Sequence, residues 1–396
     1  MAFLYLLGIL VLLVLAFLLY FAFAPRIGGR QKGERARRIE ASPNSVKGRF
    51  RNVLDTDMDM PLSAMGRVLW EMIKGGGGRE PEGIIPTVRF DAQQWEAIPS
   101  GTFATAWFGH SSLLIKAGGK TILVDPVFGE RASTFSFAGP KRFEYDAHMT
   151  VEGLPHVDVV LLSHDHYDHL DHFTIDTLVR SGAKPRYIAP LGVGAHLERW
   201  GVQASSITEM DRWDELDIGS VRLTLVPSRH FSGRGLSDRF TTLWGAWVIE
   251  AGGARVFFGA DSGPSPTFKE IGERFGPFDL VMLECGAYNE LWPNIHMLPE
   301  ETAQAAVDLK AAVLMPIHWG KFSLALHPWK EPVTRLIEAA GAMGVPLLTP
   351  RIGRIVPAAD RAFNERWWDE VDGPAKKGSA ALASGASQVP GEGLNV

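Results

Sequence analysis

One segment, Ser163-His164-Asp165-His166-Tyr167-Asp168-His169-Leu170-Asp171, constrains this chain more than any other. Three imidazoles and a carboxylate fall within it at the spacing H-x-H-x-D-H. A single histidine usually serves the core or the surface, but a cluster this dense has little structural use. Imidazole plus carboxylate suits zinc, with cobalt, manganese or iron as substitutes. The run 157–162 just ahead is continuously apolar, as expected of a strand buried on both faces. Asp171 can cap a following helix, 173–180, which Gly182 ends. The cluster therefore falls on a loop at the carboxyl end of a strand, where αβ architectures place reacting groups.

The same arrangement, an apolar strand followed by His or Asp, recurs three times. His230 follows the strand 221–226, Asp261 follows 256–259, and His318 follows 313–316. Further strands are expected at 103–108, 112–117, 120–124, 246–250 and 280–284, with Gly118-Gly119 as a two-residue hairpin turn. A helix over 299–310 opens on Pro299 and two acidic residues. Strands dominate both halves with helices interspersed, which predicts an α+β fold of two packed sheets with helices outside. The only cysteine, Cys285, excludes an intramolecular disulfide and reads as a small buried hydrophobe.

Residues 2–24 carry no charged side chain and suffice in length to cross a bilayer. A cleaved signal peptide is the rival reading, since Ala22-Phe23-Ala24 resembles a cleavage site. The length of the run, the missing basic leader and Pro25 favour an uncleaved anchor. Nine basic residues between Arg26 and Arg51, against Glu34 and Glu40, place the rest of the chain on the cytoplasmic side. Within the basic linker 25–87, Leu62, Met65, Leu69, Met72 and Ile73 form a helical stripe over 61–74, expected to pack onto the domain. The domain proper is expected over 88–360. The tail 373–396, rich in Ala, Ser and Gly, is expected to be disordered. A formal net charge of −5 argues against nucleic acid as a partner, and no pattern sets an oligomeric state.

The H-x-H-x-D-H cluster with a later His, Asp and His resembles the ligand order of the metallo-β-lactamase αββα sandwich. Within that fold the chain is similar to the N-acylphosphatidylethanolamine-hydrolysing phospholipase D group. The likeness is carried by Asp125-Pro126-Val127-Phe128, Gly139-Pro140-Lys141-Arg142-Phe143, Leu243-Trp244-Gly245, Gly286-Ala287-Tyr288 and Ile317-His318-Trp319-Gly320, and runs from about residue 88 to 355. It implies two zinc ions per chain: one on His164, His166 and His230, one on Asp168, His169 and His318, with Asp261 bridging. A shared hydroxide would then attack phosphorus, giving phosphatidate and an N-acylethanolamine from a membrane phospholipid. Asp168, Asp261 and His296 are the implied catalytic residues, His296 assisting the leaving group. Trp292 and Met297 are candidates to line an acyl groove. Asp125 would orient a ligand histidine, and His110 is either a supporting or a structural residue. His148, His156, His172, His196 and His327 are read as surface or scaffold. The family's Gly-Asp-Thr-Gly is here Ala260-Asp261-Ser262-Gly263, and Glu284-Cys285 replaces a more apolar stretch. The same ligands would also serve a lactonase or ester hydrolase acting on a soluble substrate.

Overall fold

The structure, a computed structural model, describes residues 1–58, 60–357 and 364–371. The tail 373–396 and the expected domain end at 358–360 lie outside the described residues. A short hairpin, β1 (Ser45–Val46) and β2 (Arg49–Phe50), precedes the domain. Six strands follow: β3 (Ala104–Trp107), β4 (Leu113–Ala117), β5 (Lys120–Val124), β6 (Val159–Leu161), β7 (Arg186–Pro190) and β8 (Ile207–Met210). The second half supplies β9 (Glu215–Ile218), β10 (Val221–Val226), β11 (Ala246–Ala251), β12 (Ala254–Phe258), β13 (Leu280–Glu284) and β14 (Leu314–Ile317), and β15 (Ile355–Pro357) returns to the first sheet. The sheets run in the orders β15-β3-β4-β5-β6-β7-β8 and β14-β13-β12-β11-β10-β9.

Side-chain alternation along each strand explains why the sheets stack with helices outside. Leu113, Ile115, Val124 and Leu161 face the second sheet in one large core. Their neighbours Leu114, Leu123 and Val160 pack on the opposite side with Trp95, Ile175, Leu178 and Leu197 from the helices Ala92–Glu96, His172–Arg180 and Gly194–Arg199. On the far side of the second sheet, Phe257 meets Phe268 of the helix Thr267–Arg274. The hairpin between β4 and β5 turns at Gly118 and Gly119, whose φ of 53° and 76° suit glycine. The Asp171 carboxylate accepts from the N–H groups of Phe173 and Thr174, capping the helix behind the histidine cluster.

The linker departs from expectation in one respect. A helix does form over Leu62–Lys74, but Met65, Leu69 and Ile73, with Trp70, are more than half exposed instead of packed on the domain. Among the described side chains of this helix Ala64 alone is buried, with Val68 and Met72 half-buried beside it, so the helix rests on the edge of its stripe. Periodicity reveals an apolar face without revealing which surface meets it.

Trp247 connects the fold to the site: from the inner face of β11 its Nε1–H donates to the carbonyl of Leu162, 3.0 Å away, at the start of the histidine loop. Trp247→Phe leaves that buried carbonyl unpaired and should cost about 1–3 kcal/mol. Denaturant unfolding of the purified chain measures this, and an unchanged midpoint would contradict the role given to the bond.

Candidate metal centre

β3, β5 and β6 run parallel, being joined through antiparallel β4 or directly; β10, β12, β13 and β14 likewise share one direction. Their carboxyl ends carry, in order, His110, Asp125, the loop 164–169, His230, Asp261, Glu284 and His318. Seven loops thus open at one end of the sandwich. The structure brings all seven expected donors, His164, His166, Asp168, His169, His230, Asp261 and His318, into one buried spot.

Their atoms fall into two groups. In the first, His166 Nδ1 lies 3.0 Å from His164 Nε2 and 3.1 Å from His230 Nε2, and Asp261 Oδ2 lies 3.8 and 3.5 Å from the latter two. In the second, His318 Nε2 is 3.3 Å from Asp168 Oδ2, and His169 Nε2 is 3.6 Å from the same oxygen. Asp261 reaches this group too, at 3.1 Å from both His169 Nε2 and His318 Nε2. His110 joins it through a 2.8 Å contact between its Nε2 and Asp168 Oδ2, its ring 3.9 Å from that of His318.

The outward ring nitrogens have partners that fix orientation. Asp125 Oδ2 lies 2.7 Å from His169 Nδ1, Ser163 Oγ 2.9 Å from His164 Nδ1, and the Ile295 carbonyl 3.0 Å from His230 Nδ1. Ser163 in turn donates to Asp125 at 2.5 Å. Beneath the loop, the buried Asp165 accepts from Gly233 N–H and Thr242 Oγ and meets His196 Nε2 at 3.3 Å. Burial works to raise the Asp165 pKa, but His196 and these hydrogen bonds hold it well below the usual range. His196 is thus scaffold, as expected. Four non-glycine residues at these loop entries have positive φ: His110 55°, Asp125 38°, Ala260 50° and His318 64°. Such strain persists where surrounding structure enforces it, and it concentrates at functional sites. Gly263 is required by close approach, because a Cβ there would lie 1.9 Å from the Asn294 carbonyl oxygen.

The donor set fits cations. His169 Nε2 and His318 Nε2 each lie 3.1 Å from an Asp261 oxygen, but they and Asp261 Oδ1 are buried without an aligned hydrogen bond, whereas such groups are nearly always paired. His166 Nδ1 faces two other imidazole nitrogens, an arrangement that suits lone pairs converging on a metal. The carboxylates draw in positive charge. Burial disfavours protonated His318, yet Asp261 and Asp168 outweigh it and raise its pKa to about 10. Away from the carboxylates' strongest reach, burial and neighbouring imidazoles hold His164 well below its ordinary value, in the form that ligates metal.

Comparison with known proteins agrees with this geometry. Residues 120–319 match the family model of the β-lactamase superfamily domain. The chain belongs to the metallo-β-lactamase superfamily of metal-dependent hydrolases. An N-acyl-phosphatidylethanolamine-hydrolyzing phospholipase D of Caenorhabditis elegans is 33% identical over 277 residues, covering 66% of this chain and 77% of that protein. An uncharacterized protein of Mycobacterium tuberculosis, Rv0906, is 39% identical over 333 residues, 83% of this chain and 88% of its own. Among solved structures, an isothiocyanate hydrolase from Delia radicum gut bacteria shares the fold at a TM-score of 0.51 and 20% identity, over 64% of this chain and 98% of that one.

In this metallo-β-lactamase-fold hydrolase the donors form the floor of a cavity of about 590 Å³. Met58, Met60, Met65, Phe231, Trp292 and Leu324 supply an apolar rim, and Arg239 supplies a cation. Met297 is instead fully buried below the rim, its N–H donating to Glu284, so it lines no groove. His296 does face the cavity, with its ring 5.1 Å from that of His230 and 5.2 Å from that of His318. Its Nδ1 lies 2.6 Å from the buried Glu284. Burial and the Asp261 charge drive Glu284 well above the usual carboxyl range, while burial lowers His296 to about 4. Glu284, first read as a departure, follows the signal of the other donors: an acid at the end of an apolar strand. Lys321 was not singled out; it is buried, donating to the carbonyls of Val127 at 2.6 Å and Phe108 at 3.2 Å, and so ties three donor loops together.

Two outcomes follow. Asp125→Asn keeps the shape but weakens the acceptor behind His169, and should reduce metal affinity about 10–100-fold by chelator competition; unaltered affinity would contradict that role. Burial lowers the Lys321 pKa from 10.5 to about 7. The folded state therefore disfavours the charged amine, so stability falls as pH drops from 10.5 toward 7 and levels off below. Lys321→Met should flatten this limb of the stability–pH curve, and a slope identical to wild type would refute the assignment.

Proposed function

We propose that the chain is a zinc-dependent phosphodiesterase of phospholipase D type. It hydrolyses N-acylphosphatidylethanolamine or a related membrane phospholipid to phosphatidate and an N-acylethanolamine. The observation that carries this reading is the joining of the donor floor to an apolar, methionine-rich rim with one arginine. A phosphodiester with acyl chains fits such a cavity, and the likeness to the Caenorhabditis elegans phospholipase supports it.

His164, His166 and His230 would hold one cation and Asp168, His169 and His318 a second, with Asp261 within reach of both. When bound, such a pair makes water nucleophilic near neutral pH and neutralises charge growing on phosphoryl oxygens. Asp125, Ser163 and the Ile295 carbonyl fix the ligand rings; His110 steadies Asp168. Glu284, kept protonated by burial, donates to Nδ1 of the neutral His296, which directs Nε2–H at the departing ethanolamide oxygen; as that proton is delivered, the Glu284 proton passes to Nδ1. Arg239, its guanidinium 5.0 Å from the Phe231 ring, attracts the phosphate toward the floor. The apolar rim excludes water from the reacting group.

The helix Ala2–Phe23 contains a span, Phe3–Phe21, long and apolar enough to cross a membrane, and none of it is buried. We read it as an anchor that holds the cavity at the bilayer surface, with the domain on the cytoplasmic side. Deleting residues 1–24 should release the chain from membranes; continued retention would place the anchor elsewhere.

The deciding assay sets the zinc-loaded chain against N-acylated phosphatidylethanolamine, a bis-aryl phosphodiester and a lactone panel. Turnover of the lipid, with loss of about 10²–10⁴-fold in His296→Gln at unchanged metal content, is expected. Efficient lactone turnover without phosphodiester turnover would replace this reading by an ester hydrolase.

A further inference from the structure

A second cavity, of about 820 Å³, lies where the apolar helix reaches the domain. Leu18 and Phe21 of that helix form one wall, and Arg30, Lys32 and Arg199 also line it. The cavity is built by specific contacts. Tyr20 donates its hydroxyl to the Thr134 carbonyl at 2.7 Å, Trp200 Nε1–H to the Pro25 carbonyl at 2.7 Å, and Arg199 to the Phe23 carbonyl at 2.9 Å. These hold the end of the helix against the domain.

Its charge is unbalanced. Arg30 and Lys32 are exposed and make no side-chain hydrogen bond or ion pair among the described residues. The acid at the lining, Asp238, is already engaged by the N–H groups of Arg234 and Gly235. A site with cations at one end and an apolar wall at the other matches an amphiphile with a negative head. We propose that this cavity binds an anionic phospholipid of the surrounding leaflet, its phosphate between Arg30, Lys32 and Arg199 and an acyl chain along Leu18 and Phe21. The assignment rests on reading the helix as a membrane span. Free phosphate shares the headgroup chemistry but makes no use of the apolar wall. The site is separate from the metal cavity, yet one loop borders both: Asp238 and Thr241 line the lipid cavity and Arg239 the metal cavity. A lipid held here therefore sits one loop away from the reacting centre.

The test uses the full chain in phosphatidylcholine nanodiscs with and without phosphatidylglycerol, with retained lipid counted by native mass spectrometry after release into detergent. Wild type should retain phosphatidylglycerol. The double variant Arg30→Gln/Lys32→Gln should bind it roughly 25-fold more weakly, from about fivefold per cation near an anionic surface. Leu236→Trp, which narrows the cavity from an exposed position, should weaken it as well. Arg37→Gln, remote from the lining and paired with Glu34, should leave retention unchanged. Equal retention in the double variant, or equal loss in Arg37→Gln, would overturn the site, the latter showing diffuse attraction only. Displacement of the lipid by millimolar inorganic phosphate would also overturn it in favour of a free-anion site. A chain that washes off membranes at alkaline pH would remove the span on which the proposal rests, and turnover of a soluble phosphodiester tests the catalytic reading independently.

Discussion

Two carboxylates, buried Asp261 and half-buried Asp168, face five imidazoles on the floor of one cavity, and the rest of the domain depends on how that concentration of donors is satisfied. Burying ionised groups without partners is costly, and a pair of carboxylates cannot be neutralised by imidazoles that are themselves desolvated. Several donor atoms form no aligned hydrogen bond. Cations would resolve the conflict: they would satisfy the carboxylates and take up the imidazole lone pairs, with Asp261 within reach of both groups. Metal affinity and folding stability would then be linked at this site.

The two-sheet architecture supplies the means. Strands that share a direction deliver their carboxyl ends to one edge, so loops far apart in the chain meet without long excursions. The cost is carried by the backbone at His110, Asp125, Ala260 and His318, which turn through positive φ as they leave their strands. Hydrogen bonds behind them, from His169 to the Asp125 carboxylate, from Lys321 to two loop carbonyls and around Asp165, hold those turns in place. Trp247 joins the opposite sheet to the same loop. The candidate centre is thereby set on a hydrogen-bonded frame, with Met58, Met60 and Met65 at its rim.

Much of this was legible in the residues. His164, His230, Asp261 and His318 each follow an apolar run that reads as a strand, so they mark strand ends as well as candidate donors. Their spatial convergence was implied by resemblance, not by spacing. The strands Arg186–Pro190 and Glu215–Ile218 were missed because one is short and ends in proline and the other is half polar. Burial of Lys321 arises only from tertiary packing and leaves no local signal. Glu284 had the signal but looked like a substitution in an apolar stretch. The stripe at Met65, Leu69 and Ile73 predicted a helix correctly, while its exposure depends on how the linker meets the domain.

The account turns on metal occupancy. A crystal of the zinc-loaded chain measured on both sides of the zinc absorption edge would test it most directly. Two anomalous peaks are predicted, one among His164, His166 and His230 and one among Asp168, His169 and His318, both within reach of Asp261. No peak at these residues, or peaks bound elsewhere on the chain, would contradict the account.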